Sequence, residues 1–184
     1  MNILPTSRPV LQQLLLITLL AVSNLSWGFS YTLEITGQQI QQKVDTLMPL
    51  QKKQLFFTVT LSNARVDLTT GQQPISLFSE ITLEAPNNIR ATGRATISGN
   101  LSYNAQQGAF YLHNPVIRQL EIDQLDPGLL PTVKQLAQNA ASQTLAKRPV
   151  YQLNDQDLKQ KLAKTMLKSI RVENQLIKAE LSAF

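Results

Sequence analysis

Residues 90–103 alternate in polarity without a break. Arg90, Thr92, Arg94, Thr96, Ser98, Asn100 and Ser102 are polar, whereas Ala91, Gly93, Ala95, Ile97, Gly99, Leu101 and Tyr103 are small, apolar or aromatic. A period of two marks a strand with one wet and one buried face. At about 3.3 Å per residue this strand spans roughly 46 Å, longer than most. A strand of that length needs long neighbours, so the fold must contain an extended sheet. Its inner face is mostly small and carries Gly93 and Gly99. Glycine within a strand marks a bend, a bulge or the close approach of another backbone.

The neighbours are legible. Leu55–Ser62 alternates, with Phe57, Val59 and Leu61 on one face. Leu77–Glu84 does the same, with Leu77, Ile81 and Leu83 inward and Phe78 outward. After the turn Asn104–Gly108 the chain returns along Ala109–Asp123, with Phe110, Leu112, Val116, Leu120 and Ile122 inward and a bulge or edge expected at Pro115. Short turns between such segments make the sheet antiparallel.

One long helix is expected over Pro127–Arg148. Leu129, Val133, Leu136, Ala137, Ala140, Ala141, Thr144 and Leu145 share one broad face. Pro127 and Pro131 suit its start, and Pro149 stops it. An alanine-rich face lets a flat surface come close. The small-faced strand then either packs tightly on this helix or leaves a slot beside it; the pattern is compatible with both. Two shorter helices flank this core. Thr36 caps the first, with Gln39 as its capping-box partner and Ile40, Val44, Leu47 and Met48 as its stripe. Asn154 is expected to cap the second, Asp155–Lys168, with Leu158, Leu162, Met166 and Leu167 buried. Tyr31–Ile35 opens the sequence of elements as a strand, and a hairpin over 170–181 closes it. The fold class is therefore α+β, with an antiparallel sheet and helices mostly on one face.

Residues 1–28 have the layout of a secretory signal peptide: Arg8, the apolar run Leu14–Val22, then small residues at Ser23, Ser26 and Gly28. The expected organisation is a signal peptide, 1–28, followed by a single domain, 29–184. The protein is expected to be exported to the periplasm, or, if the segment is not cleaved, tethered to the inner membrane. The chain has no cysteine, so no lipid-modified cysteine follows the signal. The net charge of +5 comes without a basic run interleaved with aromatics. Nucleic acid is not an expected partner; the mild basic excess reads as solvated surface and is compatible with weak attraction to an anionic membrane surface.

Catalytic chemistry is not expected. His113 is the only histidine and falls on an outward strand position. No carboxylates stand at metal-ligand spacing, and no serine sits in a nucleophile elbow. Glu121, Asp123 and Asp126 read as solvated or helix-start carboxylates. No cofactor is expected.

Three stretches carry a resemblance: YTLEITGQQIQQKVDTLMP (31–49), AFYLHNPVIRQLEID (109–123) and RPVYQLNDQDLKQKLAKTMLKSIRVENQLIKAEL (148–181). They resemble the YceB-like family of bacterial lipoproteins, most specifically in Pro149–Tyr151 followed by an Asn-capped helix opening with Asp155. The resemblance implies a TULIP-like (tubular lipid-binding) fold, in which a long, strongly curved antiparallel sheet wraps one long helix and leaves an apolar groove. It implies lipid binding by analogy of fold. The chain departs from the family in lacking the lipobox cysteine. The expected groove lining is Phe57, Val59, Leu61, Ile81, Leu83, Ala95, Ile97, Leu101, Val133, Leu136 and Ala140. The functional expectation is a non-enzymatic cell-envelope protein binding a lipid or other apolar ligand. The alternative is a scaffold or interaction protein with a fully packed core.

Overall fold

The computed structural model describes residues 30–69 and 73–182. The signal-peptide reading lies outside the described residues. Ser30–Ser182 forms one compact unit. Its elements run β1 (Ser30–Thr36), α1 (Gly37–Leu47), β2 (Leu50–Gln54), β3 (Phe57–Asp67), β4 (Ile75–Ala85), β5 (Ile89–Asn104), β6 (Ala109–Ile122), a 3-10 turn (Pro127–Leu129), α2 (Leu130–Leu145), β7 (Tyr151–Gln152), α3 (Leu158–Met166), β8 (Leu167–Glu173) and β9 (Leu176–Ser182).

The strands form two open antiparallel sheets, one in the order β2-β3-β4-β5-β6-β7 and one in the order β1-β9-β8. The α+β class holds. The division into two sheets corrects the single sheet expected: β1 turns away from the long strands and pairs with β9, Ser30 opposite Ser182. The long alternating strand is β5, 16 residues, and it pairs with β4 and β6 along most of its length. Ala95, Ile97 and Leu101 are buried on its inner face.

Local chemistry sets the helices. The Gln39 N–H donates to Thr36 Oγ1 at 3.2 Å, and the Thr36 N–H donates to Gln39 Oε1 at 2.8 Å. This is the capping box the sequence predicts, satisfying two otherwise orphaned donors. Ile40, Val44 and Leu47 bury the helix stripe. α2 is shorter than expected because Pro127–Leu129 winds as a 3-10 turn, opened by Asp126, whose side chain accepts from the Gly128 N–H at 2.7 Å. Lys147 and Arg148 fall beyond its end. α2 buries Val133, Leu136, Ala137, Ala140, Ala141 and Leu145, whereas Leu129 is exposed. It packs on β6 at one side of the large sheet and on β2 and β3 at the other.

Four further expectations are corrected. β3 starts at Phe57, because Leu55 and Phe56 form the turn after β2, a polar edge strand with no alternation to announce it. α3 is capped by Asp157, which accepts from the N–H groups of Lys159 and Gln160, and not by Asn154, whose carboxamide accepts from Gln156 in a preceding turn. Leu158 and Leu162 are exposed, and Ala163 is the buried residue of α3. On β6, Ile117 points inward and Val116 outward.

Two extra residues explain the last change. His113 and Val116 span three steps where Asn100 and Ser98 span two, and Ile117 and Gln119 span two where Ile97 and Thr96 span one. Each bulge flips the phase of the pleat. Between them Ile117 is inward; after both, Leu120 and Ile122 regain the phase of Phe110 and Leu112. β3 carries one bulge, between Ser62 and Arg65, with Asn63 at a φ of 51°.

Candidate functional site

The residues nominated as a groove come together in one apolar core shared by α2 and the large sheet. Val59, Leu61 and Ile97 have no accessible surface, and the most exposed of the ten fully buried members, Leu101, reaches 6%. Phe57 is partly buried against the same core. A side chain with no accessible surface borders no void as large as a water molecule. In this structure the nominated residues pack against one another.

Two glutamines tie the helices to the bulged strands. Gln138 of α2 accepts from the Ile117 N–H at 2.9 Å and donates to the Pro115 carbonyl at 2.6 Å. Gln41 of α1 accepts from the Val66 N–H at 2.8 Å and donates to the Ala64 carbonyl at 2.7 Å. Where a bulge interrupts the ladder, the backbone groups need another partner; each carboxamide supplies both halves. Gln138 is not among the residues of the buried face expected from the sequence, which does not show this role. A glutamine beside the buried stripe was the available signal.

One end of the large sheet carries exposed apolar side chains among polar turn residues. The β2–β3 turn, the β4–β5 hairpin and the connection from β6 to α2 all emerge there, as the antiparallel order requires. Leu55 is 80% exposed, Phe56 72% and Ile89 58%. Leu129 and Leu130, at the start of α2, are exposed to a lesser degree. None of these was nominated from sequence. Leu55 and Phe56 were read as the start of a strand, because LFFTVTLS alternates into them.

The outer face of the same sheet holds a cleft of about 390 Å³. Two cross-strand rows line it: Glu80, Arg94 and Glu121, and beside them Arg65, Phe78, Thr96 and Gln119. Asn63 donates to Glu80 at 2.7 Å. The two guanidiniums and two carboxylates of the cleft balance in formal charge, and no nucleophile in it is paired with a base. His113 lies exposed on the outer face, opposite Asn100. Among the described residues no three His, Asp or Glu side chains converge as metal ligands, and no helix is long and apolar enough to cross a membrane.

The titration shifts are structural. Tyr103, Phe110 and Tyr151 stack in series, ring centroids 5.0 and 6.2 Å apart. Burial raises the Tyr103 hydroxyl above its ordinary pKa; burial and the nearby Asp157 carboxylate raise that of Tyr151. Glu180 is held below the ordinary carboxylate value by the Ser169 hydroxyl and by Arg171.

The profile of a family described as "Protein of unknown function (DUF1439)" matches residues 35–175, from the end of β1 to the turn before β9. No curated protein matches the chain.

Proposed function

The chain belongs to the DUF1439 family of proteins of unknown function, and from that premise we propose that it is a non-enzymatic cell-envelope protein that takes the acyl chain of a lipid between α2 and the large sheet. The observation that carries this reading is the position of α2. It lies against β6 on one side of the sheet and against β2 and β3 on the other. We read a sheet that meets one helix from both flanks as one arched over it, the arrangement proposed here by analogy with the tubular lipid-binding folds. The helix presents alanines at 137, 140 and 141, so its contact with the sheet is broad and shallow.

The space under the arch is filled by Leu61, Ile81, Ile97 and Leu136. An acyl chain would enter by displacing α2 outward and replacing apolar contacts with apolar contacts. Each methylene buried contributes about 0.8 kcal/mol. The polar links that resist this motion are few: the Gln138 contacts with β6 and one hydrogen bond from Lys52 to Gln143, 3.1 Å. Export to the periplasm belongs to the same proposal, on the strength of the signal-like segment 1–28.

The test is native mass spectrometry of the protein purified from the periplasm without detergent, followed by lipid analysis of what it releases. A bound lipid of defined mass is the expected result. A second reading, an envelope interaction protein with a permanently packed core, is favoured by the closure of the interior residues. An apo mass that stays unchanged after incubation with total membrane lipid decides for it.

A further inference from the structure

We propose that the end of the large sheet bearing the β2–β3 and β4–β5 turns is a membrane-docking edge, which inserts Leu55, Phe56 and Ile89 into the surface of an anionic bilayer. The turn chemistry is the first argument. At positions of positive φ the chain otherwise uses Asn, Gln or Gly: Asn87 and Asn88 in the β4–β5 hairpin, Gly108 before β6, Asn174 and Gln175 between β8 and β9. Gly and Asn tolerate the left-handed region, and Gln124 and Gln175 at least present a polar side chain there. Leu55 is the apolar exception among the described residues, at a φ of 51°. It is strained there, and at 80% exposure its side chain gains nothing from the core. A local rule broken without a compensating contact in the fold points to a contact outside it.

Shape and charge select the occupant. The two turns stand at the same height, since Thr58 pairs with Glu84 and Ala85 with Ile89. They lie about 10 Å apart, two strand spacings. Separate convex turns make a poor protein interface, which needs a continuous packed patch of about 800 Å² per partner. They suit a bilayer surface, where single apolar side chains enter between headgroups. Lys52, Lys53 and Arg90 stand directly behind the tips in the chain, placed to meet lipid phosphates. Glu84 pairs across from Arg90, Asp123 stands level with Thr92, to whose carbonyl its N–H donates, and Asp126 opens the 3-10 turn before α2. At the opposite end of the sheet the β5–β6 turn holds Ala105, Gln106 and Gln107 and no large apolar side chain.

The chain has no cysteine, so single probes can be placed at will. Full-length Phe56→Cys, Ile89→Cys and Ala105→Cys proteins are labelled with NBD and mixed with vesicles of phosphatidylcholine and phosphatidylglycerol, with and without brominated acyl chains. A blue shift and at least twofold quenching by bromolipid at 56 and 89, with neither at 105, is expected. The response should weaken in high salt. No response at 56 and 89 overturns the proposal, as does an equal response at 105. A shift at 56 that needs no vesicles and grows with protein concentration also overturns it, in favour of a second copy of the chain. Docking and interior uptake are separable: tip insertion without any co-purifying lipid sinks the uptake reading alone.

Discussion

Gln41 and Gln138 hold two different helices to two different strands with the same set of hydrogen bonds. Each carboxamide oxygen accepts from a backbone N–H, and each nitrogen donates to the carbonyl two residues earlier, Ala64 and Val66 for one, Pro115 and Ile117 for the other. Each nitrogen also reaches a side chain four residues on, Asp45 or Ser142. Both strands are bulged where they are clamped. The bulge frees a donor and an acceptor, and the helix returns them.

Gln138→Leu leaves the Ile117 N–H and the Pro115 carbonyl without partners, both on buried residues. An unsatisfied buried group costs about 1–3 kcal/mol, so a loss of about 2–4 kcal/mol is expected in urea unfolding. Amide exchange at Ile117 should speed up more than at Ile97, which lies inside the ladder. Unchanged protection at Ile117 would show that the clamp is dispensable.

Gly93 and Gly37 should respond to alanine with opposite signs. A Cβ at Gly93 would collide with the Glu121 carbonyl and lie 2.7 Å from Ile122 Cα, both backbone atoms that cannot step aside cheaply. Gly93→Ala is expected to destabilise by about 1–3 kcal/mol, the usual cost of overpacking. At Gly37 the nearest atoms would be 3.6 Å away, ordinary contact. There alanine should stabilise by roughly 0.4–1 kcal/mol by narrowing the unfolded ensemble. Paired thermal melts check both signs in one experiment.

Acid should weaken the small sheet through Glu180. The Ser169 hydroxyl donates to it at 2.6 Å, and Arg171 pairs with it across the β8–β9 hairpin. Its carboxyl is held below the ordinary value of 4.5, so its contribution is present above that pH and is lost as pH falls through the lowered value. Glu180→Gln should flatten the decline in stability below about pH 4.5. Ser169→Ala, which removes the first cause of the shift, should flatten it in part. Melting temperatures recorded from pH 6 to pH 2 would show whether the slope changes.

Tyr151 governs the alkaline side in the opposite sense. Burial and Asp157 both raise its hydroxyl above 10.0. Its neutral form is favoured in the fold, so the stabilisation is intact below pH 10 and is lost as pH rises through the raised value. Tyr151→Phe should therefore tolerate pH above 10 better than the parent relative to its own neutral-pH stability. Circular dichroism followed from pH 8 to pH 12 would reveal equal slopes if Tyr151 plays no part.

Much of this architecture can be read locally. Thr36 and Gln39 announce the first helix, the unbroken alternation of 90–103 announces β5, and the small residues at 137, 140 and 141 announce the buried face of α2. What escaped depends on partners distant in the chain. Val116 and Ile117 exchange faces because of two single-residue bulges, which cancel and leave no trace in the residues on either side. β2 reads as a polar loop, and only β3 beside it makes it a strand. Asn154 and Asp157 are equally good caps by type, and the path of the chain chooses between them. Val59, Leu61 and Ile97 were nominated correctly as inward-facing, but periodicity cannot tell a groove wall from a core. Leu55 and Phe56 were misplaced because an apolar turn breaks the chemistry by which turns are recognised.

The pairing of β1 with β9 makes synthesis order matter. β1 is made before every other described strand and has β9, made after all of them, as its sheet neighbour; β8 likewise waits for β9. The large sheet can assemble hairpin by hairpin as it appears, from contacts close in sequence. The small sheet stays unmade until Ser182 has been added. Until then β1 lacks its sheet neighbour, a form in which the chain remains open to capture. The last hairpin is the latch that ends this interval.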